Sequence, residues 1–158
     1  MADEISAVLN TENGPIATRD LSYFLYLFRA AYVAAHQEIN SQQHVELATD
    51  YQALEFSKTI KARIANFHWS SIRDLALYEL HPKDELSIID ISRRNPLDIV
   101  FAATPPALIV AVIIAGGSFQ FNSGRIILPS LKNAITNMRV AFGQQPQQKI
   151  TPPREDQP

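Results

Sequence analysis

Hydrophobic positions along this chain follow two periods, and one long apolar block follows neither. Ile5, Ala7 and Leu9 alternate with Ser6, Val8 and Asn10, the period of a strand with one buried face. Residues 11–15, Thr-Glu-Asn-Gly-Pro, read as a turn because Asn-Gly tolerates positive φ and Pro fixes the exit. Ile16 and Ala17 then suggest a short return strand. From Leu21 the spacing changes to three and four residues: Leu21, Phe24, Leu25, Phe28, Tyr32 and Ala35 define one broad apolar face. This predicts a helix over 18–38, capped by Thr18 or Asp20. Tyr23, Tyr26 and Leu27 extend its apolar surface, so contacts on more than one side are expected.

A second helix is predicted over 45–67. Val45, Ala53, Phe56, Ile60, Ile64 and Phe67 share one side of it, while Lys58, Lys61 and Arg63 lie mostly away from that side. Leu47, Tyr51 and Leu54 form a weaker apolar stripe opposite. A helix with two stripes either bridges two neighbours or offers one stripe to a partner. His68-Trp69-Ser70-Ser71 interrupts the pattern, and Ser71 with Asp74 resembles a capping box for a short helix ending near Leu80. A strand over the same residues is the rival reading.

The block that follows neither period is Leu97–Ala115. It is preceded by the β-branched run 86–91, which predicts a strand, and by Arg93-Arg94 and Asn95-Pro96. Asn as cap and Pro at the first position predict a helix over 96–103, with Asp98 in its first turn favoured by the macrodipole. Thr104-Pro105-Pro106 stops it, and a second helix, 107–114, ends at Gly116. Ser118–Phe121 and Arg125–Leu128 around Asn122-Ser123-Gly124 predict a hairpin. Pro129-Ser130 opens a last helix, with Leu131, Ala134, Ile135, Met138 and Phe142 on its apolar face. The remainder, 144–158, is rich in Pro and Gln and reads as a disordered tail.

These elements predict an α+β fold for a single domain over 1–143. Its small sheet combines strand 86–91 and hairpin 118–128, with the N-terminal strand 4–9 as a further candidate, and amphipathic helices 18–38, 45–67 and 130–142 pack on it. A transmembrane helix needs about 20 uninterrupted apolar residues. Asp98 and the proline pair divide 97–115, so a core element is the primary expectation. Membrane association through this segment is the alternative.

Composition narrows the functional classes. The 158 residues carry 14 Lys and Arg against 16 Asp and Glu, a formal net charge of −2. That balance gives no argument for a nucleic-acid partner, which calls for a basic face. The absence of cysteine removes disulfides and thiol chemistry. MADEISAVLN lacks the regions of a signal peptide, which sets a cytoplasmic location as the expectation.

Candidate chemistry is sparse. His36 and His44 are eight apart, about 80° off on a continuous helix, and read as solvated groups at a helix junction. No metal or cofactor is expected. His68 beside Trp69 reads as a partly exposed imidazole next to a packed indole. Gly116-Gly117 follows a helix, the reverse of the order that binds phosphate. Arg93 and Arg94 form a basic corner that an anion or a membrane surface would suit. No catalytic residue is assigned, and the expected interaction surface comprises Leu47, Tyr51, Leu54, Trp69, Arg93, Arg94, Ile109 and Ile113.

The order of features over 86–143 is a strand, Arg-Arg-Asn-Pro-Leu-Asp, an apolar helix running into Ile-Ala-Gly-Gly, a hairpin, then Leu-Pro-Ser-Leu and a helix ending Phe-Gly. It resembles a loose group of small bacterial proteins associated with anti-phage conflict systems. The resemblance implies a non-enzymatic adaptor and transfers no site residue. The resulting expectation is a protein-protein interaction or self-assembly module, a homo-oligomer. A membrane-inserting effector and a small enzyme or ligand-binding domain around His68, Trp69 and the arginine pair are the alternatives.

Overall fold

A computed structural model describes residues 3–9, 15–42, 47–66, 68–93, 97–121 and 123–143, without the side chains of Trp69 and Arg93. Among them the chain order is β1 (Asp3–Leu9), α1 (Thr18–Ser41), α2 (Asp50–Ile64), α3 (Trp69–Ala76), β2 (Ser87–Arg93), β3 (Leu97–Ala103), α4 (Pro105–Ile114), β4 (Ser118–Gln120), β5 (Arg125–Leu128) and α5 (Leu131–Ala141). The fold is α+β, as the hydrophobic pattern predicts. The strands form one mixed sheet in the order β2-β3-β1-β5-β4. Only the β1–β5 pairing is parallel.

Each central strand buries alternate residues. Ile5, Ala7 and Leu9 of β1 share a face with Leu97, Ile99, Phe101 and Ala103 of β3 and with Ile126 and Leu128 of β5, and all are buried. The helices cover this face. Glu4, Ser6, Asp98 and Arg125 lie on the other, which stays open to solvent or half-buried.

The main correction concerns 96–103. The Asn-Pro start signal predicts a helix there, yet Leu97–Ala103 is β3, paired with β1 along its whole length and with β2 from Leu97 to Ala102. The residues Ile99, Val100 and Phe101 favour a strand. The alternation is masked in the sequence because Val100 and Ala102, on the open face, are also apolar. Asp98 therefore faces the open side of the sheet and has no helix dipole to serve. Asn95 and Pro96 lie outside the described residues, as do the turn 11–14 and the tail 144–158.

Helix starts also differ. Thr18 and Asp20 do not cap α1: its N-cap is Ala17, which makes no side-chain bond, and Ile16-Ala17 form no strand. The N-cap of α3 is His68 rather than Ser71, and the helix ends at Ala76 rather than near Leu80. The second helix, expected over 45–67, runs from Asp50 to Ile64, capped by Thr49, which accepts from the Gln52 amide. Other signals match the backbone. Ser130 caps α5 by accepting from Asn133. Gly116 takes φ 87° where α4 ends, and Gly124 takes φ 68° in the hairpin, conformations that a Cβ disfavours.

The apolar block 97–115 is thus half strand and half helix, and both halves are in the core: Leu108, Val110, Ala111 and Val112 are buried with β3. Among the described residues no helix is long and apolar enough to cross a membrane. α1 is the central helix. Every residue from Ala30 to His36 is buried, because α3, α4 and α5 all pack around it. Phe28 stacks on Phe24 and meets Phe101 of β3 at 5.5 Å between ring centroids.

This register predicts unequal costs along β3. Phe101→Ala should lower stability by about 3–5 kcal/mol, the price of a large buried side chain. Asp98→Ala, on the open face, should stay within about 0.5 kcal/mol. Denaturant unfolding measures both, and equal losses would contradict the strand register.

Candidate functional site

The outward side of α2 is the place where the chain departs from ordinary surface chemistry. Ala53, Ser57, Ile60 and Ile64 form its buried face, with Phe56 half-buried beside them. The buried serine satisfies itself by donating to the Ala53 carbonyl at 2.7 Å. On the opposite side, Tyr51 is 72% exposed and Leu54 45%. Large apolar groups at that exposure are unremarkable singly, but Leu54 lines a groove and Tyr51 stands beside it on the same helix.

The groove has a volume of about 690 Å³ and runs between α2, α4 and the β4 hairpin. Asp50, Ala53 and Leu54 form one wall. Ile109 and Ile113 of α4 form the floor, and Phe119 and Phe121 form the far wall. The two phenyl rings meet edge to face at 4.9 Å, which fixes the wall's shape. Gly117 lets the floor approach β5: a Cβ there would lie 2.5 Å from the Ile127 carbonyl oxygen. Polar groups sit at the margin, Asp50 on one side and Ser118, Gln120 and Ser123 on the other. Apolar walls with a polar rim suit a side chain or a peptide; among the described residues Asp50 is hydrogen-bonded to neither Ser118 nor Ser123, and the Ser123 hydroxyl donates to Gln120 at 3.2 Å.

Three of the expected surface residues, Leu54, Ile109 and Ile113, line this one groove. Tyr51 stands one helical step away on α2. Ile109 corrects the expectation in part, since at 4% exposure it is floor rather than surface. Leu47 is half-buried and packs against the core before the start of α2. Trp69 opens α3 and Arg93 ends β2, with side chains outside the described residues, and Arg94 lies wholly outside them. The sequence pattern did not reveal the phenyl wall. Phe119 and Phe121 lie at the alternation of a short strand, which gives no hint that they close a groove against a helix some 65 residues earlier in the chain.

A second polar cluster sits on α1. Arg29 donates to both oxygens of Glu85, at 3.0 Å from Nε and 2.9 Å from Nη2. Its remaining N–H groups go to the carbonyls of Ala76 at 2.6 Å, Leu75 at 3.5 Å and Tyr78 at 2.6 Å. The guanidinium thus satisfies the last carbonyls of α3, where a helix end is short of donors and favours positive charge. One turn on, the Tyr32 hydroxyl donates to the Asp84 carbonyl at 2.6 Å and accepts from the Thr104 amide at 2.9 Å. With the phenol hydrogen committed to Asp84, the 2.9 Å contact to the Thr104 hydroxyl has Thr104 as donor. His36 follows, buried rather than solvated as expected, with Nε2 3.7 Å from Asp84 and its ring stacked along Tyr32.

Arg29, Tyr32 and His36 are spaced three and four apart, so one stripe of α1 holds the segment 77–86 in place. A signal for this is present in the sequence: Arg29 is the one cation in the otherwise apolar run 21–35. The cluster is a latch, with its donors and acceptors consumed by the protein itself. His68, the other candidate, is exposed at the start of α3 and makes no capping bond. His44 lies outside the described residues. Among the described residues no group of three His, Asp or Glu side chains is placed to hold a metal ion. No family model, curated protein or solved structure matches this chain.

The latch gives two expectations. Tyr32→Phe leaves the Thr104 amide and the Asp84 carbonyl without their partner, and should cost about 1–3 kcal/mol in urea unfolding. Burial also holds the Tyr32 phenol above its ordinary value, opposed in part by the Thr104 hydrogen bonds. The folded state therefore keeps a proton that the unfolded chain loses above a pH of about 10. The Tyr32 contribution is complete below that pH and is lost as pH rises through the folded value. Unfolding curves between neutral and strongly alkaline pH should show a steeper loss for the native chain than for Tyr32→Phe, and parallel curves would contradict this account.

Proposed function

We propose that this chain is a non-enzymatic protein-protein interaction module whose contact surface is the groove between α2, α4 and the β4 hairpin together with the exposed stripe of α2. The observation that carries the reading is exposed Leu54 lining a groove floored by Ile109 and Ile113 and walled by Phe119 and Phe121, with exposed Tyr51 one turn away on the same helix. Large aromatic and aliphatic groups around an apolar cleft with a polar rim are the make-up of an interface centre. The lining favours recognition over catalysis, because its one carboxylate, Asp50, is hydrogen-bonded to neither Ser118 nor Ser123 among the described residues, and the Ser123 hydroxyl donates to Gln120.

Membrane insertion of 97–115 is less well supported, since its apolar side chains fill the core between the sheet and α1. A role as an adaptor in bacterial anti-phage defence rests on the resemblance of residues 86–143 alone.

The test is photo-crosslinking in the producing cells, with a benzophenone side chain in place of Tyr51. A discrete protein adduct, to another copy or to a different protein, is expected, and Phe119→Asp should abolish it by placing a charge in the groove wall. The absence of any adduct, or an adduct indifferent to Phe119→Asp, would refute the proposed surface.

A further inference from the structure

The stripe on α2 carries a charge pattern that names its occupant. Tyr51, Leu54, Lys58, Lys61 and Ala65 recur at intervals of three and four, the spacing of a seam between paired helices. The first four lie within α2, and Ala65 is its C-cap. The two halves of the seam differ. The first is apolar and bordered by acids, Asp50 and Glu55; the second is built from lysine stems and alanine. Asp50, Tyr51, Leu54, Glu55, Lys58 and Ala65 are exposed, and Lys61 is half-buried at the edge of a second cleft.

We propose that two copies of this chain associate through α2, side by side and antiparallel. This rests on the reading of the α2 surface as an interface and specifies its partner. Antiparallel pairing about a two-fold axis at residue 56 places Leu54 opposite Lys58 and Tyr51 opposite Lys61. The apolar half of each seam then lies on the aliphatic stems of the other copy, with the ammonium groups free to reach Asp50 and Glu55 of that copy. A parallel pairing would set Lys58 on Lys58 and Lys61 on Lys61, so charge complementarity selects the antiparallel arrangement. In a closed two-fold dimer the same patch serves both subunits, and this patch is complementary to itself.

The second cleft adds a receptor for the tyrosine. It measures about 300 Å³ and is lined by Lys61, Ile113, Ile114, Gly116, Asn137, Val140 and Ala141. Val140 is 54% exposed at its mouth. Pairing Tyr51 with Lys61 of the other copy brings the phenol ring to that mouth, next to the ammonium, an arrangement that also favours cation–π contact. Ile113 lines both clefts, so the antiparallel seam covers a surface continuous with the main groove. The ion pair between Glu55 and Lys58 within one copy, 3.0 Å and well exposed, is weak enough to be exchanged for one between copies.

The experiment is sedimentation velocity on the full chain across a concentration series, with two charge variants. Asp50→Lys/Glu55→Lys makes the α2 surface uniformly basic, and Lys58→Glu/Lys61→Glu makes it uniformly acidic. The native chain is expected to dimerise, each variant alone to be monomeric, and an equimolar mixture of the two variants to form a heterodimer. Tyr51→Ala should weaken the native dimer about tenfold or more, as for an interface anchor. Circular dichroism checks that each variant is folded; should one fail to fold, the native series and Tyr51→Ala still decide. A native chain that stays monomeric, or a dimer indifferent to Tyr51→Ala or to both charge variants, overturns the proposal. A monomeric chain that nevertheless crosslinks from position 51 to a different protein would overturn only the choice of partner and leave the interaction surface standing.

Discussion

A helix buried on all sides has to satisfy every polar group it carries, and that constraint on α1 organises the molecule. From Ala30 to His36 every residue of α1 is buried, His36 the most exposed at 8%. Arg29, Tyr32 and His36 are nevertheless part of that helix; Arg29 and Tyr32 find partners in the last carbonyls of α3, the segment that links α3 to β2 and Thr104 before α4, and His36 contacts Asp84 and Asn40. An unpaired group there would cost the full penalty of its desolvation. The latch therefore ties three separate parts of the chain to one helix: the end of α3, the approach to β2, and the turn from β3 into α4. Since α4 also carries the floor of the groove, the placement of Ile109 and Ile113 depends on the Tyr32–Thr104 bonds.

α2 stands apart from this scheme. Its inner face is apolar and docks on α4 and α1, while its outer face carries a seam that has no partner among the described residues. The buried faces of α1 and α4 answer to stability. Tyr51, 72% exposed, and Leu54, 45% exposed, have no such account among the described residues, and the proposed interaction role would supply one. The charge division of α2, acidic near its start and basic near its end, follows the macrodipole in reverse at neither terminus: acids near the start and bases near the end both favour the helix itself. The same division makes the helix complementary to an antiparallel copy, so under the proposed dimer one pattern would serve folding and association together.

Much of the architecture was legible from periodicity. α1, α2, α5, the hairpin and the strand after Leu86 all appear where spacing and turn residues place them, and Leu54, Ile109 and Ile113 do converge on one groove. β3 was not legible, because a strong helix-start dipeptide precedes it and because Val100 and Ala102 make its open face as apolar as its buried one. Whether such a run is strand or helix is decided by its neighbours β1 and β2, which are far away in sequence. The latch was half legible. Arg29 stands out within an apolar helix, but its partners are carbonyl oxygens and Glu85, which no local pattern announces. His36 was misplaced for a related reason: a polar residue near a helix end reads as exposed until α1 is known to be enclosed.

The most direct test of the α2 interface is the distance between two copies of that helix. The chain has no cysteine, so Thr59→Cys gives one unique position for a nitroxide label on an exposed site of α2 outside the seam. Pulsed dipolar spectroscopy then reads only separations between copies. Antiparallel α2 pairing predicts a single narrow distance, set by helix axes about 8–10 Å apart plus the two label arms, which disappears on dilution with unlabelled chain. A background decay with no intermolecular distance, or a long separation unaffected by Tyr51→Ala, would contradict it.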